Sequence, residues 1–333
     1  MKPGLLATKL RRPPLPLKRV PRPQLTQRLD DGLEAGRGIT LVSAPAGFGK
    51  TACISAWVDT LDLPVTWLSL DAADDEPGRF FSYLIAALQQ VHPGLGSEIE
   101  GVLRAGQLPP GEVISTALVN EILVLEGRFL LVLDDLQVIQ DSFILQVLET
   151  LVVNLPEALH LVLLTREDPL LPLARLRASN QLTEIRAGDL RFSDQEAGQF
   201  LNAVMGLALS AADVAALEAR TEGWIAGLQL AAIALGAALA RQPNATQTTA
   251  AEFIADLSGS HRFILSYLTE EVLNQQPEDV RLFLLQTAIL ERLNGDLCNA
   301  VTGRTDDHAL LETLFTDNLF LIPLDDAGHW YRY

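Results

Sequence analysis

The stretch LVSAPAGFGKTA, residues 41–52, holds most of a loop that could grip phosphate. Such loops read G-x-x-x-x-G-K-[ST], and their backbone N–H groups, lysine and hydroxyl hold phosphates and the Mg²⁺ that neutralises them. Here Ala44 stands at the first glycine position, and everything after it is intact. Gly47 and Gly49 let backbone approach phosphate, Lys50 can reach the β and γ oxygens, and Thr51 offers a hydroxyl to Mg²⁺. Alanine is tolerable at 44 if φ stays negative, and Pro45 biases that residue towards extended backbone. The plainer alternative is a glycine-containing turn between a strand and a helix. It gives Lys50 and Thr51 no reason to follow the second glycine.

Two further stretches could complete a site. In FLLVLDD (129–135), five apolar residues deliver Asp134 and Asp135 to a strand end. There Asp134 would hold Mg²⁺ through water and Asp135 would polarise an attacking water. The competing reading is an acidic pair that opens a turn. In LLTRED (163–168) the next strand ends in Thr165 and Arg166. Arg166 can approach a γ-phosphate, or it can pair on the surface with Glu167 or Asp168.

These residues meet only if the right elements carry them. GITLVS (38–43) reads as a buried parallel strand, and KTACISAWVDTL (50–61) has helical apolar spacing. The loop then lies at a helix N-terminus, whose N–H groups and positive dipole end suit phosphate. Strands follow at 65–70, 129–135, 159–165 and 182–187, with helices at 77–91, 112–126, 143–153 and 171–178 between them. That alternation predicts an α/β fold, a P-loop NTPase parallel sheet with helices on both faces. The Gly/Pro-rich stretch near 92–111 is expected to be exposed. From FSDQEAGQFL (192–201) onwards the pattern turns helical, with Ser193 and Glu196 forming a capping box. A polar segment, RQPNATQTT (241–249), marks a second boundary, helices run to about 316, and LFLIPL and HWYRY around DDAG read as a β-hairpin. The expected organisation is an N-terminal arm 1–37 contributing to the nucleotide site, a P-loop domain 38–190, a helical domain 191–245 and a winged-helix-like domain 246–333.

Composition narrows the partners. The 333 residues carry a net charge of −17, which argues against nucleic acid as the main partner. Residues 1–37 are nonetheless basic, with nine Lys/Arg against three Asp/Glu. They form either a solvated proline-rich tail or an arm whose cations face phosphate or the acidic body. Cys53 and Cys298 lack metal-ligand spacing and read as reduced core residues, consistent with the cytoplasm. No signal peptide is expected. WIAGLQLAAIALGAALA (224–240), with Gln229 its sole polar residue, is short for a membrane span and reads as a buried helix.

The residues also resemble a known family. LLATKLRRP (5–13), VPRPQL (20–25), SAPAGFGKT (43–51), WLSLDAADDEPGRFFSYLIAAL (67–88), LVLDDLQVI (131–139), LLTREDPLLPLARLRA (163–178), LTEIRAGDLRFSDQEA (182–197) and TEGWIAGLQLAA (221–232) are similar to the N-terminal part of MalT-type regulators. These are the large ATP-binding regulators of the LuxR family, within the signal-transduction ATPases with numerous domains. The alanine-led loop is normal in that family. The resemblance implies Val20 and Arg22 beside an adenine nucleotide, ATP or ADP, and the phosphates on Pro45, Ala46, Gly47, Phe48, Gly49, Lys50, Thr51 and Ala52. It implies Asp134 and Asp135 at Mg²⁺ and water, Arg166 as sensor, and GWIAGL in a helical domain that closes over the nucleotide. Family members continue past WYRY through a histidine-containing segment, a repeat domain that senses an inducer and a DNA-binding helix-turn-helix. The winged-helix module is therefore expected to be incomplete or minimal, and these residues offer no basic recognition helix for direct DNA binding.

Three functions compete. The first is a nucleotide-gated switch, closed with ADP and self-associating with ATP plus an inducer. The second is a turnover NTPase or kinase, although no acceptor pocket or lid signature is present. The third is a scaffold with a vestigial site, against which the intact Lys50, Thr51 and Asp134 argue.

Overall fold

A computed structural model describes residues 4–241, 251, 253–255, 262–316, 318–325 and 328–333. The boundary expected at 241–249 falls almost wholly outside them. The chain forms two compact units. One comprises Met1–Pro16, Pro21–Ser43 and Lys50–Asp189, and the other Leu17–Val20, Ala44–Gly49 and Leu190–Tyr333.

The first unit is built on α1 (Pro23–Glu34), β1 (Ile39–Ser43), α2 (Lys50–Val58), β2 (Val65–Ser69), α3 (Pro77–Val91), α4 (Ser97–Arg104), α5 (Gly111–Leu123), β3 (Phe129–Asp134), α6 (Ser142–Val153), β4 (Leu159–Thr165), α7 (Leu173–Ala178), β5 (Leu182–Arg186) and the short α8 (Ala187–Leu190). The five strands are parallel, in the order β2-β3-β4-β1-β5. Leu41, Leu131, Leu133, Leu161 and Leu163 join a core with Phe80 and Phe81 of α3 and Ile114 and Leu118 of α5. Their strand neighbours Val42, Leu130, Val132, Val162 and Leu164 point to the other face and are equally buried. Both faces are therefore covered, which is why these strands are apolar without alternation.

Local chemistry sets the helix starts. Pro77 opens α3, and the Glu76 carboxylate accepts from the N–H groups of Gly78 and Arg79. Asp141 caps α6 in the same way. The stretch 92–111, expected to be exposed, contains α4 and is exposed only in part, since Leu95 and Ile99 are buried. Gly96 takes φ +72° before that helix, and Ile99 reaches the core. Three apolar residues over two turns are too few to announce a helix in sequence.

The basic N-terminus is anchored to acidic residues of its own unit. Buried Lys9 pairs with Asp74 and Asp71, Arg79 joins Asp74 at 2.9 Å, and Arg12 meets Asp59 at 2.8 Å.

The second unit contains α9 (Asp194–Gly198), continued by a π-helical turn at Gln199–Val204, then α10 (Ala211–Thr221), α11 (Ile225–Arg241), α12 (Arg262–Glu271), α13 (Glu278–Thr287), α14 (Gly295–Thr302), α15 (Asp307–Thr316), β6 (Ile322–Pro323) and β7 (Tyr331–Arg332). The Ser193–Glu196 capping box forms. Leu228, Ala231 and Ala232 of α11 pack with Phe192, Leu201 and Leu217 in one core. No helix among the described residues is long and apolar enough to cross a membrane. A separate core joins Phe283, Leu293, Cys298, Leu311, Leu321 and Tyr331. There β6 pairs antiparallel with β7, and Leu293 bridges Tyr331, so three helices carry a small wing. Neither cysteine is bonded: Cys298 is buried and Cys53 half-buried.

Candidate functional site

In the first unit, the carboxyl ends of the strands gather five of the expected residues. Lys50 and Thr51 begin α2 directly after the loop that leaves β1, and Asp134 ends β3. The Thr51 hydroxyl donates to Asp134 Oδ1 at 3.0 Å. Asp135 follows in left-handed backbone, φ 62°, which aspartate tolerates better than most residues. Arg166 succeeds the last residue of β4.

Electrostatics tie these groups together. Lys50 is 8% exposed, and burial pushes its ammonium down to about 8 against the attraction of Asp135 and Asp134, with the Arg166 charge adding to the depression. Asp134 is 3% exposed, and burial, reinforced by Asp135, pushes its carboxyl up to about 6 although the Thr51 hydrogen bond opposes the shift. Burial thus disfavours the charged forms of both groups. A ligand that brings negative charge to Lys50 and positive charge to Asp134 relieves both, and a metal-chelated polyphosphate has that polarity. Thr51 and Asp134 could supply two oxygen ligands to Mg²⁺. No cluster of three or more His, Cys, Asp or Glu among the described residues could hold a metal unaided, so phosphate and water would complete the shell.

One residue here was not expected. Gln137 donates through Nε2 to Asp135 Oδ1 at 2.9 Å, while its Oε1 accepts from the Arg166 N–H at 3.0 Å. A single amide therefore fixes the second aspartate relative to the end of β4. Its signal in sequence was its place in LDDLQ, two residues beyond Asp135, but nothing there reveals a partner on another strand. Asp168, offered as a surface partner for Arg166, instead pairs with Arg186, at 3.1 Å for Nη2.

Arg22 precedes α1 and donates through Nη2 to the Asp189 carbonyl at 2.8 Å. Its charge is felt by Cys53 in the first turn of α2, where burial pushes the thiol up to about 11. Ala52 is exposed.

The loop itself, Ala44–Gly49, groups with the second unit. Gly47 and Gly49 take φ +79° and +77°, whereas Ala44 is buried and has no positive φ, as an alanine there requires. The Trp224 indole N–H donates to the Ala46 carbonyl at 3.0 Å, and the Ala226 N–H donates to the Gly47 carbonyl at 3.0 Å. A Cβ on Gly47 would lie 2.6 Å from the Ala226 Cβ and 2.9 Å from the Tyr267 hydroxyl. Phe48 is buried 6.3 Å from Phe320, whose ring is 5.5 Å from that of Trp224. Pro45 is buried, and Val20 packs against the core that contains α11. Tyr267 and Phe320 could not be foreseen, because more than two hundred residues separate them from the loop.

The fold is that of the P-loop NTPases, followed by a helical region that carries a winged helix. Residues 269–333 match the MalT winged helix domain. The chain is 35% identical over 328 residues to the HTH-type transcriptional regulator MalT of Yersinia enterocolitica, covering 98% of this chain and 35% of that protein. The MalT of Yersinia pestis is 34% identical over the same coverage. The chain thus spans about a third of the length of these relatives. Among solved structures, it is similar to a signal transduction ATPase with numerous domains with a tetratricopeptide repeat sensor from Pyrococcus horikoshii. That similarity has 15% identity and a TM-score of 0.50, over 96% of this chain and 41% of the other. The Walker-type ATPase of Pyrococcus abyssi is similar at 16% identity and a TM-score of 0.58, over 95% and 96%. Over nearly its whole length the chain is thus similar to the first third of MalT regulators, and its residues 269–333 match the MalT winged helix domain.

Proposed function

We propose that the chain is the nucleotide-gated switch module of a transcriptional regulator. ATP or ADP would place its phosphates on residues 45–52, with Lys50 as counter-charge and Thr51 and Asp134 towards Mg²⁺. Mg²⁺, when bound, would supply charge neutralisation to the phosphates. Asp135, oriented by Gln137, would accept a hydrogen bond from the attacking water, and Arg166 would face the γ-phosphate. Val20 and Arg22 of the arm would complete the nucleotide surroundings. The observation that carries the reading is the Thr51–Asp134 contact beside a buried, depressed Lys50. The binding of Trp224 and Ala226 to carbonyls of the phosphate loop supports a switch over a turnover enzyme, because residues far along the chain then share the loop with the ligand. A nucleotide that favours one arrangement of the loop by about 5.5 kcal/mol moves it almost completely. In this reading ADP holds the closed state, ATP with an inducer permits self-association in the cytoplasm, and hydrolysis is a slow reset. DNA would be contacted by other parts of a longer regulator. The four-part division at 37, 190 and 245 is the corresponding domain proposal.

Lys50→Ala tests the site, because it removes the cation assigned to the phosphates. Titration with a fluorescent ADP analogue is expected to show binding abolished in a folded protein. Unchanged affinity would sink the assignment.

A further inference from the structure

We infer that the opposite end of the sheet carries a second, anion-binding site that takes a small metabolite with a phosphate or carboxylate head. In a parallel sheet all strand beginnings lie on one edge, away from Lys50 and Asp134. At that edge a cleft of about 420 Å³ is lined by residues from the end of α1, the end of α6 and the starts of β1 and β4. Its polar wall includes Arg37, Arg128, His160, Asn154, Gln181 and one carboxylate, Glu157.

His160 carries the inference. It is 3% exposed, and its Nε2 lies 2.9 Å from the Thr40 hydroxyl. Its Nδ1 is buried without a partner at full hydrogen-bond geometry, and the Arg37 backbone offers the ring only a weak hydrogen bond. Arg37 Nε is a second buried donor without a partner. A buried polar atom whose hydrogen bond is missing or weak keeps much of its desolvation penalty, so two around one cleft call for an occupant. Water would satisfy either atom but would not neutralise charge. Among the described residues neither Arg37 nor Arg128 forms an ion pair, and the Arg128 guanidinium reaches only the Leu33 carbonyl, at 3.4 Å. Two guanidiniums against one carboxylate favour an oxyanion, which their planar forks bind through paired hydrogen bonds. The volume falls in the usual range of small-molecule clefts, about 300–1,000 Å³, and leaves room for a body beyond the head group. The wall is mainly polar, so that body is hydrophilic.

Phosphates would also visit the nucleotide loop, so the readout must be local. The imidazole ¹⁵N resonances of the full chain, with His160 assigned through His160→Gln, are followed at constant ionic strength against inorganic phosphate and, separately, malonate. A saturable His160 shift is expected. It should persist in Lys50→Ala and weaken about tenfold in Arg128→Gln, an exposed position whose change leaves packing alone, and likewise in Arg37→Lys, which keeps the charge but loses the fork. Tighter phosphate binding assigns a phosphate head, and tighter malonate binding a carboxylate one. No shift with either anion overturns the site. So does a shift that survives both arginine variants, or one that vanishes in Lys50→Ala.

Discussion

Asp134 is held in a form that costs the folded chain stability. Its folded value of about 6 lies above the ordinary 3.8, so the folded state carries the extra proton between those values and the ionised form is penalised above them. Neutral pH is therefore where the cost is complete, and it fades as pH falls through 6 towards 4. Asp134→Asn keeps the shape and an acceptor for Thr51. In chelator and without nucleotide it is expected to raise unfolding free energy by about 1–3 kcal/mol at pH 7.5, with no gain below pH 4. Denaturant titrations at both pH values check this, and an equal gain at both would mean that the carboxylate charge is not the cause. Gln137 offers a second prediction. Gln137→Ala releases Asp135 and the start of the Arg166 loop without touching Lys50, so single-turnover ATP hydrolysis should slow by about tenfold to a hundredfold. ADP affinity, measured by titration, should stay within about twofold.

The helix α1 and strand β5 meet so closely that one glycine is fixed by packing. A Cβ on Gly32 would stand 2.1 Å from Thr183 Oγ1 and 3.1 Å from its Cβ. Alanine normally improves a helix interior by about 1 kcal/mol, but here the overlap dominates and Gly32→Ala should destabilise by about 1–3 kcal/mol. Thr183→Ala in the same chain should recover part of that loss, since it also removes a buried hydroxyl that has no partner. Thermal or denaturant unfolding of the two single variants and the double variant measures the coupling. Such pairings explain where sequence reading succeeded and failed. The strands 129–135 and 159–165 and the helix 77–91 were legible because each element carries its own signal, an apolar run or a proline with a cap. The phosphate loop and Asp134 were legible because their chemistry is local. Gln137, the left-handed turn at Asp135, the burial of Lys9 and the helix α4 were not, because each depends on partners brought by distant segments.

At the scale of the molecule, the loop Ala44–Gly49 finds its hydrogen-bond partners Trp224 and Ala226 beyond residue 190. A folded 1–190 fragment keeps Lys50, Asp134 and Arg166 but loses those partners. It should bind ADP at least about tenfold more weakly than the full chain, a difference of about 1.4 kcal/mol. Equal affinities would remove the structural basis of the closed state. The strand order carries a different consequence, one for synthesis. β1 is flanked by β4 and β5, whose residues 159–165 and 182–186 leave the ribosome long after Ser43. At about 5–20 residues per second, a nascent β1 waits on the order of ten seconds with both its edges unpaired and all five of its residues, which are buried in the fold, uncovered. During that interval the loop Ala44–Gly49 also lacks its partners Trp224 and Ala226, and the young chain presents an unpaired strand open to non-native pairing.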